Sequence, residues 1–115
     1  MFEIIRADVA EIVYRELEQR ARKSLENRTK NKKTKASPAE GIFKQVHKTL
    51  ELLSQNPRHP GLKTHAYSSI ENPYNKSEKV FEAYVQNKTS GAYRVFWCYG
   101  PDKKQVTIIE ITPHP

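Results

Sequence analysis

Cysteine is almost absent from this sequence, which has one, Cys98, in 115 residues. One cysteine excludes an internal disulfide and leaves no cluster of thiolates to hold a metal ion. Long apolar runs are missing as well, since no stretch approaches the roughly 20 residues that span a bilayer. The segment from Met1 to Arg6 does not resemble a signal peptide. We therefore expect a soluble, cytoplasmic protein with no membrane partner.

Acidic residues are outnumbered by basic ones. The chain has 13 Asp and Glu against 20 Lys and Arg, which gives a formal net charge of +7. This excess favours a polyanionic partner, whether nucleic acid, an acidic protein or a membrane surface, and net charge alone does not separate these. The length is close to the commonest domain size, so residues 1–115 are expected to form one domain.

Two amphipathic helices are predicted in the N-terminal half. The first starts near Asp8, which is placed as an N-cap, and the second starts where Ser37 and Glu40 form a capping box. The second helix is expected to end at about Gln55, and two such helices imply an antiparallel hairpin. Along the first helix, apolar residues recur every four positions and predict its buried face: Val9, Val13, Leu17, Ala21 and Leu25.

A basic segment at about residues 27–36 separates the two helices. Its cations are Arg28, Lys30, Lys32, Lys33 and Lys35. Like charges at this density repel one another and resist compact packing. The segment is therefore expected to be a loop, either a flexible solvated connection or an arm that binds phosphates through counterion release.

The C-terminal half is rich in the aromatic and β-branched residues that are typical of strands. Four strands are predicted over residues 62–67, 79–85, 93–99 and 105–112, and a short one around Ile4 near the N-terminus. Short connections between consecutive strands favour antiparallel pairing. The expected fold class is α+β, with an N-terminal helical hairpin packed on one face of a small antiparallel sheet.

A proline-rich bend joins the second helix to the first of these strands. Pro57 and Pro60 cannot continue a helix, and the pair Pro60-Gly61 predicts a type II turn. The strand that follows carries Lys63 and His65. The bend is either a plain connector or part of a functional site.

Alternation along residues 93–99 assigns side chains to the two faces of the sheet. Arg94, Phe96 and Cys98 share one face, and the large side chains between them are expected to meet the helices. Arg94 then lies on the open face, where it either forms a salt bridge with Glu82 or binds an anion. Cys98 is expected to be a packed strand residue and not a reactive thiol.

Three segments carry a resemblance to a known family. They are the run N-P-R-H-P-G-L-K-T-H at residues 56–65, Tyr93-Arg94-Val95-Phe96, and the terminal Ile111-Thr112-Pro113-His114. Together they resemble the RelE/ParE toxin superfamily of toxin–antitoxin systems, over about residues 40–114. The order of two helices followed by an antiparallel sheet agrees with that family.

The resemblance implies a cytoplasmic toxin that a cognate antitoxin inhibits. In the RelE branch it implies an endoribonuclease that cleaves mRNA on the ribosome without a metal or a cofactor. The family's roles are strand cations on the RNA backbone, an arginine on the phosphate, a glutamate as general base and a C-terminal histidine as general acid. The matching catalytic candidates here are Lys63, His65, Glu82, Arg94 and His114, and those for substrate binding are Arg58, Lys63 and Lys88.

One departure from the family and two alternative functions remain open. Several active members place a tyrosine after the C-terminal histidine, whereas this chain has Pro115 there, so Tyr84 or Tyr93 would have to substitute. The alternatives on the same fold are a ParE-like inhibitor of DNA gyrase without a catalytic set, and a non-toxic basic module that binds nucleic acid or protein. Fold alone does not choose between them.

Overall fold

The computed structural model describes residues 1–32, 35–85 and 92–113 of the chain. Two helices precede most of a five-stranded sheet, in agreement with the predicted α+β class. The elements in chain order are β1 (Glu3–Arg6), α1 (Asp8–Lys30), α2 (Pro38–Gln55), a short 3-10 helix (Pro60–Leu62), β2 (His65–Ala66), β3 (Phe81–Tyr84), β4 (Tyr93–Tyr99) and β5 (Gln105–Pro113). Within these described residues, neither helix is long and apolar enough to cross a membrane.

The sheet has the order β1-β5-β4-β3-β2. Strands β2 to β5 form the predicted antiparallel meander. Strand β1 pairs with β5 in parallel, so the sheet is mixed and not purely antiparallel as predicted. The first and last strands of the chain therefore lie side by side, and β2, with only two residues, forms the opposite edge.

The buried face of α1 differs from the prediction. The predicted Leu17 and Ala21 are buried, but Val9 and Leu25 are 58% and 46% exposed, and α1 buries Ala10 and Tyr14 in their place. A spacing of exactly four residues turns about 40° per step around an α-helix, so Val9 and Leu25 lie about 160° apart and cannot share a face. Burial instead follows the mixed three- and four-residue spacing of a helix.

The hairpin end also differs from the prediction, although the start of α2 is confirmed. Helix α1 continues to Lys30, so it includes the first four residues of the loop expected over 27–36. The capping box of α2 is present, because the Glu40 N–H donates to Ser37 Oγ at 3.3 Å and the Ser37 N–H donates to Glu40 Oε2 at 3.0 Å. Asp8 is the first residue of α1, and the N-cap is Ala7.

The two faces of the sheet are assigned as alternation predicts. The face with Val95 and Trp97 packs against both helices and forms the main core. The opposite face has a smaller apolar cluster of Val80, Phe96 and Cys98, against which Tyr67 and Ile70 pack. The segment that connects β2 to β3 therefore covers part of this face and leaves the region nearer Arg94 as a candidate site.

The bend after α2 adopts a different turn from the one predicted. Pro60–Leu62 is a 3-10 helix, and His59 Nδ1 accepts a hydrogen bond from the Gly61 N–H at 2.9 Å. Lys63 then takes the left-handed conformation, with φ of 49°. Leu62 is 1% exposed and belongs to the core. The predicted strand over 62–67 is consequently reduced to His65–Ala66, because the chain is extended only after this left-handed residue.

Candidate active site on the strands

Three neighbouring strands bring His65, Glu82 and Arg94 together on the face away from the helices. His65 is directly opposite Glu82 in the register of β2 and β3, and residues opposite each other share a face. Arg94 follows from β4, where it is opposite Tyr84. His65 Nε2 lies 2.5 Å from Glu82 Oε1, and Arg94 Nη1 lies 2.7 Å from Glu82 Oε2. Both carboxylate oxygens thus have a partner.

Burial is graded across the three side chains. Those of Glu82, Arg94 and His65 are 3%, 16% and 48% exposed, respectively. A buried carboxylate is costly unless it is paired and hydrogen-bonded, and two partners supply that pairing here. Glu82 therefore forms the floor of the cluster, and His65 is the member that solvent and a ligand reach most easily.

The contact with Glu82 determines the arrangement of the His65 ring. An ionised carboxylate only accepts hydrogen bonds, so Nε2 of His65 donates to Glu82 Oε1. In the neutral ring the other nitrogen, Nδ1, is then the proton acceptor. The ring of Tyr84 lies 5.5 Å from that of His65 and packs beside it. The result is a half-exposed histidine whose Nε2 contacts Glu82 and whose ring packs beside Tyr84.

Aromatic rings hold the guanidinium of Arg94. Its Cζ lies 4.8 Å from the ring centre of Phe96 and 5.8 Å from that of Tyr67. Among the described residues, Arg94 Nε is buried and has no hydrogen-bond partner. A planar cation on an aromatic floor, with one edge on a carboxylate, is suited to bind an anion such as a phosphate beside it.

The other predicted site residues do not all join this cluster. Lys63 lines a groove between α2 and the end of β3, together with Lys48, His59 and Tyr84. Arg58 lines an adjoining hollow, which shares Lys63 with that groove and contains Phe81, Trp97 and Tyr99 from the helix side of the sheet. Lys63 therefore lies at the sheet edge, and Arg58 lies away from the face with Arg94. His114 and Lys88 are outside the described residues.

Tyr84 and Tyr67 both lie closer to the site than the sequence alone indicated. Tyr84 contacts His65, whereas Tyr93 packs against the core on the helix side. Of the two tyrosines considered as substitutes for the missing C-terminal one, Tyr84 is thus the one on the site face. Tyr67 was not identified as a site residue from the sequence, although it ends the strand predicted over 62–67 and alternates there with His65.

The cysteine takes no part in this chemistry. Cys98 is fully buried, and burial raises the pKa of its thiol to about 11, so it is a packed strand residue as predicted. Within residues 1–32, 35–85 and 92–113, no three His, Cys, Asp or Glu side chains lie close enough to hold a metal ion. The site residues thus place a half-exposed imidazole and a guanidinium on either side of one carboxylate, an arrangement suited to proton transfer beside an anion.

Comparisons with known proteins give a likeness in fold. No family model and no curated protein sequence matches this chain. Among solved structures, the chain is similar to one in the crystal structure of the heterotetrameric YoeB-YefM toxin–antitoxin complex from Staphylococcus aureus, with a TM-score of 0.56 and 11% identity. The alignment covers 100% of this chain and 99% of that one. The fold expected from the sequence resemblance is confirmed over the whole length.

Proposed function

We propose that this chain is a toxin-type, metal-independent endoribonuclease that cleaves ribosome-bound mRNA in the cytoplasm and so inhibits translation. The observation that carries the proposal is the cluster of His65, Glu82 and Arg94 on one face, in which an imidazole and a guanidinium each contact one oxygen of the same buried carboxylate. The likeness to a chain of a toxin–antitoxin complex supports it and indicates a cognate antitoxin as partner.

The proposed reaction is an in-line attack within the RNA strand. His65 Nδ1 takes the proton from a ribose 2′-hydroxyl, and the 2′-oxygen forms a bond to the adjacent phosphorus. The bond from phosphorus to the 5′-oxygen breaks, which leaves a 2′,3′-cyclic phosphate and a 5′-hydroxyl. Arg94 lies beside the phosphate and stabilises the charge that develops on its oxygens.

Glu82 acts through His65 in this scheme. The resemblance gives a glutamate the role of base, but Glu82 is 2% exposed and both of its oxygens are engaged. We therefore assign proton abstraction to His65 and treat Glu82 as the positioning residue that fixes the ring and stabilises its protonated form. Both remain members of the catalytic set.

The remaining candidates complete the reaction as proposals. The departing 5′-oxygen needs a proton, and the resemblance gives this role to His114. Lys63 is exposed and lines the same groove as Tyr84, which supports a role in binding the RNA backbone next to the cleaved phosphate. Arg58 and Lys88 are retained as contacts to more distant phosphates.

Inducible expression tests the proposal against the other functions of this fold. We expect methionine incorporation to stop within minutes while plasmid supercoiling is unchanged. Arg94→Ala should abolish toxicity and so restore methionine incorporation. Arg94→Lys should also restore incorporation in large part, because a lysine keeps a cation for Glu82 but lacks the planar fork that binds a phosphate. Loss of supercoiling with continued translation would instead select a gyrase inhibitor, and harmless expression would select a binding module.

Arg6→Ala is the matched control for these variants. Arg6 also pairs with a glutamate, Glu11, and its Cζ lies 4.2 Å from the ring centre of Tyr14, but it is on β1 at the far edge of the sheet. We expect Arg6→Ala to stay toxic when its folded fraction, measured by circular dichroism, matches that of the Arg94 variants. Equal relief by both alanine variants would attribute the effect to instability and contradict the proposal.

A further inference from the structure

The net positive charge of this chain is concentrated in one stretch of its sequence, around the connection between the two helices. Residues 20–45, called the distal hairpin below, contain nine Lys and Arg and two Glu, a net +7 that equals the net charge of the chain. The other 89 residues contain eleven cations and eleven acidic side chains. The basic character of the protein thus belongs to the hairpin and not to the strands that carry the candidate active site.

Part of this charge forms a stripe on α1. Arg20, Lys23 and Lys30 are all exposed, and none of them takes part in an ion pair of the described residues. At 100° of rotation per residue their side chains leave the helix within about 80° of one another, over about 15 Å of its length. The stripe therefore presents to solvent, on one side of the helix, three cations that are unpaired among the described residues, with the exposed Glu26 beside Lys23 and Lys30.

Polar contacts between the helices hold the distal hairpin together. Arg28 contacts both oxygens of Glu40, with Nη2 2.7 Å from Oε1 and Nε 3.2 Å from Oε2. Ser24 Oγ lies 2.5 Å from Ser37 Oγ, next to the capping box. The last buried residue of α1 is Ala21, so the stripe continues beyond the core on a braced pair of helices. The helix backbone that carries the stripe is held in place in this way, so the backbone loses little freedom when the stripe binds a ligand.

The composition of the distal hairpin selects among polyanions. Its one aromatic residue, Phe43, packs inward on Tyr14 with ring centres 5.3 Å apart. Without exposed aromatic rings it lacks the stacking surface typical of single-strand binding and the anchors typical of protein interfaces. Among the described residues of the distal hairpin, the exposed large apolar side chain is Leu25. One such side chain gives too little apolar surface for a helix that inserts into a membrane interface. Backbone phosphates of a double helix fit such a surface best.

We propose that the distal hairpin is a docking arm for the phosphate backbone of double-helical RNA, separate from the active site. The choice of RNA rests on the proposed function, because structured RNA is what surrounds a ribosome-bound message. The arm binds without reading sequence, through release of counterions from the phosphates. It would hold the protein near its substrate while the strands perform the cleavage.

The test measures binding of the full chain to a duplex of about 20 base pairs made of 2′-O-methyl RNA, by fluorescence anisotropy. This RNA lacks the attacking hydroxyl, so binding is read independently of cleavage. The arm variant is Arg20→Gln, Lys23→Gln and Lys30→Gln. Its matched control, Lys76→Gln, Lys79→Gln and Lys103→Gln, removes the same charge from exposed positions elsewhere.

We expect the arm variant to bind at least about 10-fold more weakly near 100 mM KCl, with a salt slope smaller by about 2 to 3. The control should stay within about twofold of wild type. Equal losses in both variants, or no loss in the arm variant, would overturn the proposal. So would tighter binding to the single strand, to duplex DNA, to polyglutamate or to anionic vesicles. An Arg94→Ala protein that has lost cleavage should still bind the duplex, which separates this test from that of the proposed function.

Discussion

Glu82 is the residue whose environment defines the site. A carboxylate that is 2% exposed must have partners, and it has two, Arg94 and His65, on neighbouring strands. Each partner would also suffice for a purely structural ion pair. The half-exposed His65 argues for more, since a purely structural partner of a buried carboxylate gains nothing from a ring that solvent can reach.

Glu82→Gln should reduce mRNA cleavage by about 10²- to 10⁴-fold, because an amide neither fixes the same tautomer of His65 nor stabilises its charged form. The measurement is single-turnover cleavage, together with the ¹⁵N shifts of the His65 ring. We expect the shifts to report a change of tautomer or ring protonation in the variant. Unchanged ring shifts with reduced cleavage would contradict the positioning role.

Thr107→Val is the control for the loss of a buried polar group. Thr107 is 1% exposed, and its hydroxyl contacts Tyr74 and the carbonyl of Gly100 at 2.9 Å each, away from the site. The substitution should cost about 1 kcal/mol of unfolding free energy. Its cleavage rate should remain near that of wild type.

The sequence predicted part of the site because strand alternation is a local rule. It placed Arg94 on the open face and offered Glu82 as its partner, which the structure shows. The contact of His65 with Glu82 was not predictable, because it depends on the left-handed Lys63 that sets the start of β2. A turn of this kind leaves no periodic signal in the sequence.

Within the helical hairpin, Glu40 links capping to an ion pair. It closes the capping box of α2 and accepts hydrogen bonds from Arg28, which hold the pKa of its carboxyl at about 2, well below the ordinary value of 4.5. The unfolded chain therefore binds more protons than the native one between these two pH values. Stability from Glu40 is complete above about pH 4.5 and is lost as the pH falls toward 2.

Glu40→Gln should lower the melting temperature at pH 6 and have progressively less effect as the pH falls from 4.5 toward 2. Glutamine still offers an oxygen to the capping box, so the difference reports the charge. Thermal unfolding by circular dichroism across this range is the measurement. Glu26→Gln, an exposed change in α1, is the control. A difference that does not shrink at low pH would contradict the assignment.

The elements themselves were predictable to different degrees. The start of α2 and the whole of β4 were predicted correctly, because a capping box and a run of aromatic residues are strong local signals. The buried face of α1 was predicted correctly at its centre, at Leu17 and Ala21, and wrongly at Val9 and Leu25, because four-residue spacing drifts around the helix. The parallel pairing of β1 with β5 joins the two ends of the chain, and no local pattern indicates such a contact.

At the scale of the whole molecule, the sheet is uneven in stability. Strand β4 is central and pairs on both sides, whereas β2 is a two-residue edge strand whose residues are both exposed. Edge segments with few buried contacts open locally, at a lower free energy than global unfolding. The strand that carries His65 is thus the one that opens most easily.

Amide hydrogen exchange tests this difference. The amides of Val95 and Trp97 in β4 should be protected at least about 100-fold more than that of Ala66 in β2. Binding of a non-cleavable 2′-O-methyl RNA at the active site should raise protection in β2 more than in β4. Equal protection of both strands in the free protein would show that the His65 edge is as rigid as the core.

The most direct test of the catalytic proposal is the chemistry of the cut ends. Purified protein is added to ribosomes that hold a defined mRNA, and the products are mapped by primer extension and by their reactivity to kinase and ligase. We expect cleavage with a 5′-hydroxyl and a 2′,3′-cyclic phosphate, at a rate that falls at least about 100-fold in His65→Gln and stays unchanged in Arg6→Ala. No cleavage, ends with a 5′-phosphate, or cleavage by His65→Gln at the wild-type rate would contradict it.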